Sequence, residues 1–451
     1  MFEVVEISVD EVGRLLVLDE GQRLDFKSAR IAPAKLSQSL SSFANTDGGE
    51  IFIGIEDDKT WFGFENIEAA NPVASLVYEM FPVEDYVNCV FLRGENIPNL
   101  VLKIEISRTP DIKYATSGSP YRRFGAQNRK LASSEAIRRL EYSKGVHSYE
   151  DERLNHLLAD VQNSTGIIEF SLNIVPHPEP NTWLRKQRLV VDEKATVAAC
   201  MLFSEEPQIA LPKSGVKIYR YKTVEAEGTR DTLAFDPVTV EGPVVNLISK
   251  AVETVKAVVQ DIPKVGTSGL EAIVYPEEAI HEVLTNAVLH RDYSINDEVH
   301  IRIFDNRVEV FSPGKLPGYV TPKNILKERF ARNPKIVRIT NKFSNAPNKD
   351  IGEGLNTTFE KMRGLKLRDP VIYETEAGVT VALYHEKLAS PEQLIQDYLE
   401  KNAEINNSKA RDICREGSEN KIKRVFERMM DAGIIERIPE RRGRATAYRL
   451  K

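Results

Sequence analysis

Between Leu36 and Ile55 the apolar residues change their spacing across a short polar, glycine-bearing run. Leu36, Leu40 and Phe43 fall at i, i+4 and i+7, the spacing of a helix with one buried face. Asn45-Thr46-Asp47-Gly48-Gly49 then reads as a turn, and residues 50–55 as a buried-type strand. The surrounding sequence, from 1 to about 142, keeps the same alternation. Val12, Leu15, Leu16 and Leu18 predict a short amphipathic helix, residues 23–28 a strand, and residues 133–142 a charged helix ending at Lys144-Gly145.

The texture changes twice more. Residues 150–243 hold strands such as 217–221 and several prolines, and 244–262 reads as a helix with core positions Val245, Ile248, Val252, Val255 and Val259. A second helix is expected over 277–293, then a hairpin of 300–304 and 308–311 around Asp305-Asn306-Arg307. In 390–451, Ser390 is a good N-cap for a helix to Leu399, Asn407 or Ser408 opens another, and 418–432 is a third. Two strands, 434–438 and 446–450, close the chain around a basic turn. The expected architecture is α+β and multidomain, with domains at 1–145, 150–387 and 389–451. At 451 residues that suits a prior of ~100–200 residues per domain.

Composition excludes several classes of protein. Apolar residues make up 41% and charged residues 28%, which fits a folded chain rather than a disordered one. With 61 Lys and Arg against 67 Asp and Glu, the net charge is −6, so attraction to nucleic acid must come from a local patch. Cys89, Cys200 and Cys414 are too scattered for a disulfide framework or a Cys-based zinc site. The opening MFEVVEISVDEV lacks the basic region of a signal peptide, and no run approaches ~18 consecutive apolar residues. No membrane association is expected, and a cytoplasmic location follows by default.

Acidic residues in the first segment are spaced for possible chemistry. On a strand, Asp25 and Lys27 share one face and Leu24 and Phe26 the other, with Glu20 entering from the preceding loop and Glu56 and Asp57 at a second strand end. Converging carboxylates hold hard divalent cations that activate water for phosphodiester cleavage. The same spacing also suits a solvated, salt-bridged face. Glu20…Leu24-Asp25-Phe26-Lys27, then Ser42-Phe43-Ala44-Asn45-Thr46-Asp47-Gly48-Gly49, then Ile53-Gly54-Ile55-Glu56-Asp57 resembles the Schlafen AlbA_2 domain. Tyr121-Arg122-Arg123-Phe124-Gly125 resembles its closing segment. The resemblance implies a nucleic-acid-binding module. By analogy with animal Schlafens, it also implies, as the alternative reading, a ribonuclease triad on Glu20, Asp25 and Glu56 or Asp57, with Mn²⁺ as its ion and a role in cellular defence. Asp25 stands where the pattern more often has Glu. Lys27, Lys113, Tyr114, Tyr121, Arg122, Arg123, Arg129 and Lys130 supply groups suited to phosphate contact and base stacking.

The central segment carries Glu282, Asn286 and His290 at intervals of four, so one helical face presents a carboxylate, an amide and an imidazole. A carboxylate can orient water while an amide oxygen holds Mg²⁺ against phosphates, although such polar lines also occur on ordinary exposed helices. This stretch, through Arg291-Asp292-Tyr293, resembles the N-box of the GHKL ATPases, in the helicase-labelled variant (HATPase_c_4) that accompanies AlbA_2 domains. Ser312-Pro313-Gly314 resembles the first glycine box, Arg332-Asn333-Pro334 follows, and Gly352-Glu353-Gly354-Leu355 resembles the second, opening a helix. The resemblance implies a GHKL-like α/β sandwich holding ATP and Mg²⁺. Glu282 would be the water-orienting base and Asn286 the metal ligand. His290, Asp292, Ser312, Gly314, Arg332, Asn333, Gly352, Gly354 and Leu355 would lie near the nucleotide, Ser312 replacing the family's adenine-reading Asp. His290-Arg291-Asp292 imitates a kinase loop, but the Asn comes early at Asn296; His281-Glu282 lacks a zincin's second ligand at Thr285. No G-x-x-x-x-G-K-[ST] occurs, so a P-loop motor is unsupported.

Residues 390–451 resemble a winged helix-turn-helix. Lys421, Lys423, Arg424 and Arg428 lie on its third helix, and Arg441, Arg442 and Arg444 in a wing where six basic residues face one acid, Glu440. Such a unit suits duplex DNA, with a protein partner as the alternative. The combined expectation is an ATP-binding, DNA- or RNA-binding transcriptional regulator acting as a homodimer.

Overall fold

The computed structural model describes residues 3–82, 84–155, 158–174, 179–266, 269–272, 275–347, 354–385, 391–414, 416–439, 441 and 446–451. The protein is α+β and resolves into two units. The first comprises Met1–Glu152 together with Asp292–Ile295 and Gly314–Pro334; the second comprises Arg153–Arg291, Asn296–Pro313 and Lys335–Lys451.

The first unit contains β1 (Glu3–Ile7), α1 (Val9–Leu16), β2 (Leu24–Lys27), α2 (Pro33–Ala44), β3 (Gly49–Ile53), α3 (Asn71–Met80), β4 (Val87–Gly94), β5 (Leu100–Ile106), β6 (Tyr121–Phe124), β7 (Gln127–Lys130) and α4 (Ser134–Lys144). Five strands form one mixed sheet in the order β1-β4-β5-β3-β2. Its two faces have separate cores. Leu36, Leu40 and Phe43 of α2, with Val73 and Val77 of α3, cover Ile51, Ile53, Phe91 and Ile104. Leu15, Leu16 and Trp61 pack on Phe26, Phe52, Leu92 and Val101. Ser8 opens α1 through a capping box with Glu11, and Ser133 caps α4, which ends on left-handed Gly145.

The turn that joins α2 to β3 shows why it is so restricted in sequence. Gly48 and Gly49 have φ of +68° and +147°, and a Cβ would fall 2.3 Å from the Ile106 carbonyl oxygen and 2.4 Å from that of Arg23. The side chain of Asn45 bonds Lys113 and Tyr121 main-chain atoms, and Thr46 Oγ1 accepts from Arg123 N. The run therefore clamps the β6–β7 hairpin to the sheet.

The second unit begins with α5 (Ala159–Gln162), α6 (Thr165–Ile174), α7 (Pro180–Lys186), β8 (Val190–Val191), β9 (Lys194–Ala195) and α8 (Val197–Phe203). The sequence analysis read only strands and prolines across 150–243. These helices escaped it because they are short, and α8 is buried all round, which leaves no apolar period to detect. Then come β10 (Val216–Arg220), β11 (Val238–Val240), α9 (Val244–Gln260), β12 (Pro263–Gly266), β13 (Gly269–Ala272), α10 (Glu277–Leu289), β14 (Val299–Ile303), β15 (Arg307–Pro313), α11 (Pro334–Thr340), α12 (Gly354–Gly364), β16 (Val371–Glu374) and β17 (Gly378–Tyr384). The main sheet has six strands in the order β11-β10-β14-β15-β17-β16. Helix α10 lies between α9 and α12 and rests on β15.

The C-terminal part of this unit has its own core. It contains α13 (Pro391–Leu399), β18 (Ile405–Asn406), α14 (Asn407–Cys414), α15 (Glu419–Asp431), β19 (Ile435–Arg437) and β20 (Ala447–Leu450), with strands ordered β18-β20-β19. Ile395, Leu399, Ile422, Val425, Phe426 and Met429 form the core, and Phe426 stacks on Tyr448. Ser418 caps α15 by accepting from Lys421 N. The expected N-cap Ser390 lies outside the described residues.

Candidate nucleotide and nucleic-acid sites

Helix α10 opens with Glu277 and Glu278, whose charges suit its positive end, and buries Val283, Leu284, Ala287 and Val288. Glu282 and Asn286 stand one turn apart, and Asn286 Nδ2 donates to Glu282 Oε1 at 2.8 Å. The first residue of α12, Gly354, meets this pair. A Cβ there would lie 2.1 Å from Glu282 Oε1 and 3.5 Å from Asn286 Nδ2. Only glycine lets the amino end of α12 approach so closely. Burial pushes the Glu282 carboxyl above its ordinary range, and the Asn286 amide offsets part of that rise. Leu355 follows in α12. His290 caps the end of α10, its N–H donating to the Asn286 carbonyl at 2.9 Å. Ser312, on β15, donates to the Ala287 carbonyl at 2.8 Å. Gly352 lies outside the described residues.

A carboxylate, an amide and a helix amino end thus meet so closely that not even a methyl group fits between Gly354 and Glu282. That chemistry fits the phosphate end of ATP. The Ser312 hydroxyl is already spent on the main chain.

Four residues expected at the nucleotide belong to the first unit. Asp292 and Arg332 are buried and paired at 2.8 Å, and Arg332 also donates to the carbonyls of Tyr142 and Lys315. Gly314 packs against the Asp292 side chain, and Asn333 is fully buried. Asp292 and Arg332 neutralise each other. Gly314 and Asn333 sit in packing contacts.

The N-terminal acids are also rearranged relative to expectation. Asp25 is 0% exposed rather than at a surface, because α2 and the β6–β7 hairpin cover its face of the sheet. It accepts from Lys27 Nζ at 2.7 Å, Arg123 Nη2 at 3.1 Å and Ser39 Oγ at 3.4 Å. Burial pushes its carboxyl up against the pull of Lys27 and Arg123. Burial also acts to raise Glu20, but the Phe26 amide, Asp25 and Lys27 outweigh it and hold that carboxyl down. Glu56 accepts from Ser28 Oγ at 2.8 Å, and Asp57 is exposed. Among the described residues no three His, Cys, Asp or Glu side chains gather to hold a metal ion. The Mn²⁺ triad expected on Glu20, Asp25 and Glu56 or Asp57 is therefore not assembled, since Asp25 is already satisfied by two cations.

The basic residues divide sharply. Arg123, expected to touch nucleic acid, is buried; it donates to Asp25, Asn128 and the carbonyls of Gly21 and Leu24, over the Phe43 ring. Lys27 donates to Asp25, Glu20 and the Phe26 carbonyl. Lys113 pairs with Asp111 at 3.0 Å. Arg122 is half-buried, whereas Arg129 and Lys130 are exposed on the hairpin. On α15, Lys421 pairs with Glu416 at 3.1 Å and Arg428 with Glu392, while Lys423 and Arg424 are exposed without an ion pair among the described residues. Arg441 pairs with Glu404 at 2.8 Å; Arg442 and Arg444 lie outside the described residues.

Sequence reasoning missed two buried charges. Asp47 binds Lys315 at 3.0 Å, Arg108 at 3.1 Å and Gln22 at 3.1 Å. Burial works against its ionisation, but these partners hold its pKa down to about 2. Lys144 donates to the Ala44 and Thr109 carbonyls and to Thr109 Oγ1, and burial pushes its pKa down to about 7. Its place beside a helix-ending glycine was readable; its burial was not.

Two family models match the chain. Residues 20–132 match the Schlafen AlbA_2 family, and residues 296–383 match the family described as "Putative ATP-dependent DNA helicase recG C-terminal". The second match begins after the helix that carries Glu282 and Asn286. Among solved structures, the DIP2311 protein from Corynebacterium diphtheriae is similar at a TM-score of 0.43 and 17% identity, over 98% of this chain and 96% of that one. The comparison with curated proteins gives no match. No described helix is long and apolar enough to cross a membrane.

Proposed function

For a chain that carries a Schlafen AlbA_2 segment and a segment of the recG C-terminal, HATPase-type family, we propose a nucleic-acid-binding regulator whose engagement is governed by ATP. The observation that carries this reading is the meeting of Gly354 with the Glu282–Asn286 pair. Bound Mg·ATP would supply a phosphoanhydride with its charge partly neutralised. Glu282 then orients water, its raised pKa suiting a base. Asn286 Oδ1, left over when Nδ2 bonds Glu282, would be the cation ligand. The first-turn amides of α12, from Gly354 and Leu355 onward, receive phosphate.

Support for coupling comes from the path of the chain. Ser312 and Pro313 belong to the second unit and Gly314–Pro334 to the first, where Lys315 is held by Asp47 of the AlbA_2 turn. The segment read as a glycine box is thus covalently continuous with one that braces the AlbA_2 core. The three-helix C-terminal part, which we read as a winged helix, would engage duplex DNA through Lys423 and Arg424. Because no P-loop run exists in the sequence, the reading does not include an unwinding motor.

Thermal unfolding of the full chain with Mg·ATP tests this. A ligand at 100 times its Kd stabilises by about 2.7 kcal/mol, so a rise of several degrees is expected in the wild type and none in Asn286→Ala. Equal shifts in both proteins, or no shift in either, sink the nucleotide reading.

A further inference from the structure

The β6–β7 hairpin holds an arrangement that its packing role does not explain. Register pairs Arg122 with Arg129 and Phe124 with Gln127, so these four side chains share one face of the ribbon, while Tyr121 and Arg123 point to the other. The inner face is fixed tightly. Tyr121 N donates to Ser41 Oγ, Arg123 N to Thr46 Oγ1, and Asn128 is bonded to both Ser39 and Ser42. The outer face is left open. Phe124 is 45% exposed, with the Arg129 guanidinium 5.0 Å and the Arg122 guanidinium 5.8 Å from its ring centroid. Gln127 Oε1 accepts from Arg129, at 3.3 Å from Nη2, which steadies that group. Arg122 Nε is shielded from solvent and makes no hydrogen bond. Neither arginine forms an ion pair among the described residues, in contrast to Arg123 directly behind them.

We propose that this outer face is a stacking platform for an unpaired base, and that its ligand is single-stranded nucleic acid. The proposal rests on the nucleic-acid reading above and narrows it to one strand form and one aromatic residue. A planar ring offers a π-face to any base, and two guanidinium groups without carboxylate partners offer charge to the phosphates on either side. A phosphodiester strand supplies both features in every repeat. A duplex hides its base faces within the stack and could reach only the arginines. The anchored inner face means that little has to be ordered when the strand arrives.

Fluorescence anisotropy on the full-length protein separates the outcomes, using a labelled oligothymidine, an oligouridine and a blunt duplex of the same length. Phe124→Ala is expected to weaken single-strand binding about 5- to 100-fold while leaving duplex binding within twofold. Phe124→Trp is expected to retain it, which excludes misfolding as the cause. Arg122→Gln with Arg129→Gln should flatten the salt dependence of single-strand binding. Unchanged single-strand affinity in Phe124→Ala overturns the platform and leaves the broader reading standing. Equal loss on single strand and duplex overturns the strand assignment. Failure of the wild type to bind any of the three probes overturns the nucleic-acid reading itself. An acidic peptide competing as well as the oligonucleotide would replace nucleic acid by a protein ligand.

Discussion

Two shielded carboxylates, Asp25 buried in the first unit and Glu282 half-buried in the second, solve the same electrostatic problem in opposite ways. Asp25 is surrounded by Lys27 and Arg123 and also accepts from Ser39. Glu282 accepts from the Asn286 amide and, among the described residues, pairs with no cation. Burial raises both pKa values. A carboxylate already matched by two positive groups gains little from a metal or a polarised water. A carboxylate matched only by an amide and a helix amino end still has an unmet electrostatic demand. The difference separates an acid that holds the fold from an acid available for chemistry.

The strongest way to break this comparison is to strip Asp25 of its partner. Arg123→Met should cost up to about 3–5 kcal/mol, because it leaves the buried Asp25 charge matched by Lys27 but no longer by Arg123, and the urea midpoint should fall with unchanged slope. Adding Asp25→Asn should restore much of that loss. If Arg123→Met is neutral, the pair is not structural and the triad reading deserves revival. A second, smaller test uses the buried cation of the same unit. Lys144 has a folded pKa of about 7, below the ordinary value for lysine. Between pH 7 and about 10.4 the unfolded chain therefore binds more protons at this group, so stability rises with pH across that window. The rise should be on the order of a few kcal/mol, and Lys144→Met should flatten the profile of midpoint against pH.

The residues that were legible in sequence are those whose role is periodic. Leu36, Leu40 and Phe43 are all fully buried on α2, and the five predicted core valine and isoleucine positions of 244–262 are buried on α9. The helices expected to begin at 133 and 418 do begin there, with Ser133 and Ser418 as their caps. The polar residues were legible only as types. Arg122 and Arg123 are adjacent and identical in kind, yet strand alternation under a covering helix sends one to solvent and the other to Asp25. Nothing local in the sequence says which face will be covered. Asp292 and Arg332 are forty residues apart by number, and only the chain's return at 314–334 makes them an ion pair. The Glu282–Asn286 pair was readable because its geometry is set by one turn of helix. Its meeting with Gly354, far along the chain, was visible only through family resemblance.

Gly354 offers the next test in size. In Gly354→Ala the new methyl would sit on the Glu282 carboxylate, a clash with a half-buried side chain that can shift only partly. Overpacking of this kind costs typically about 1–3 kcal/mol. The stability change should be modest, yet any thermal shift caused by Mg·ATP should vanish. Retention of that shift would mean that the amino end of α12 is not part of the cradle.

The smallest expected effect sharpens the comparison most, because it concerns sign. Gln at position 282 keeps an oxygen to accept from Asn286 while removing a charge that burial disfavours. The folded carboxyl has a raised pKa, so the native state binds more protons than the unfolded chain as pH passes from the unfolded to the folded value. Stability from this group is fully present below the unfolded pKa and is lost as pH rises through the folded one. Glu282→Gln should therefore be slightly more stable than wild type at pH 7, with the difference vanishing at low pH. Asp25 also has a raised pKa, so linkage alone favours removing its charge too. The opposite sign expected for Asp25→Asn at pH 7 comes instead from leaving two cations, Arg123 and Lys27, at a buried site with no counter-charge. Measured side by side by urea unfolding, opposite signs at pH 7 identify Glu282 as the carboxylate that the fold does not need. The same sign in both would erase the distinction, and with it the electrostatic reason for assigning water activation to Glu282.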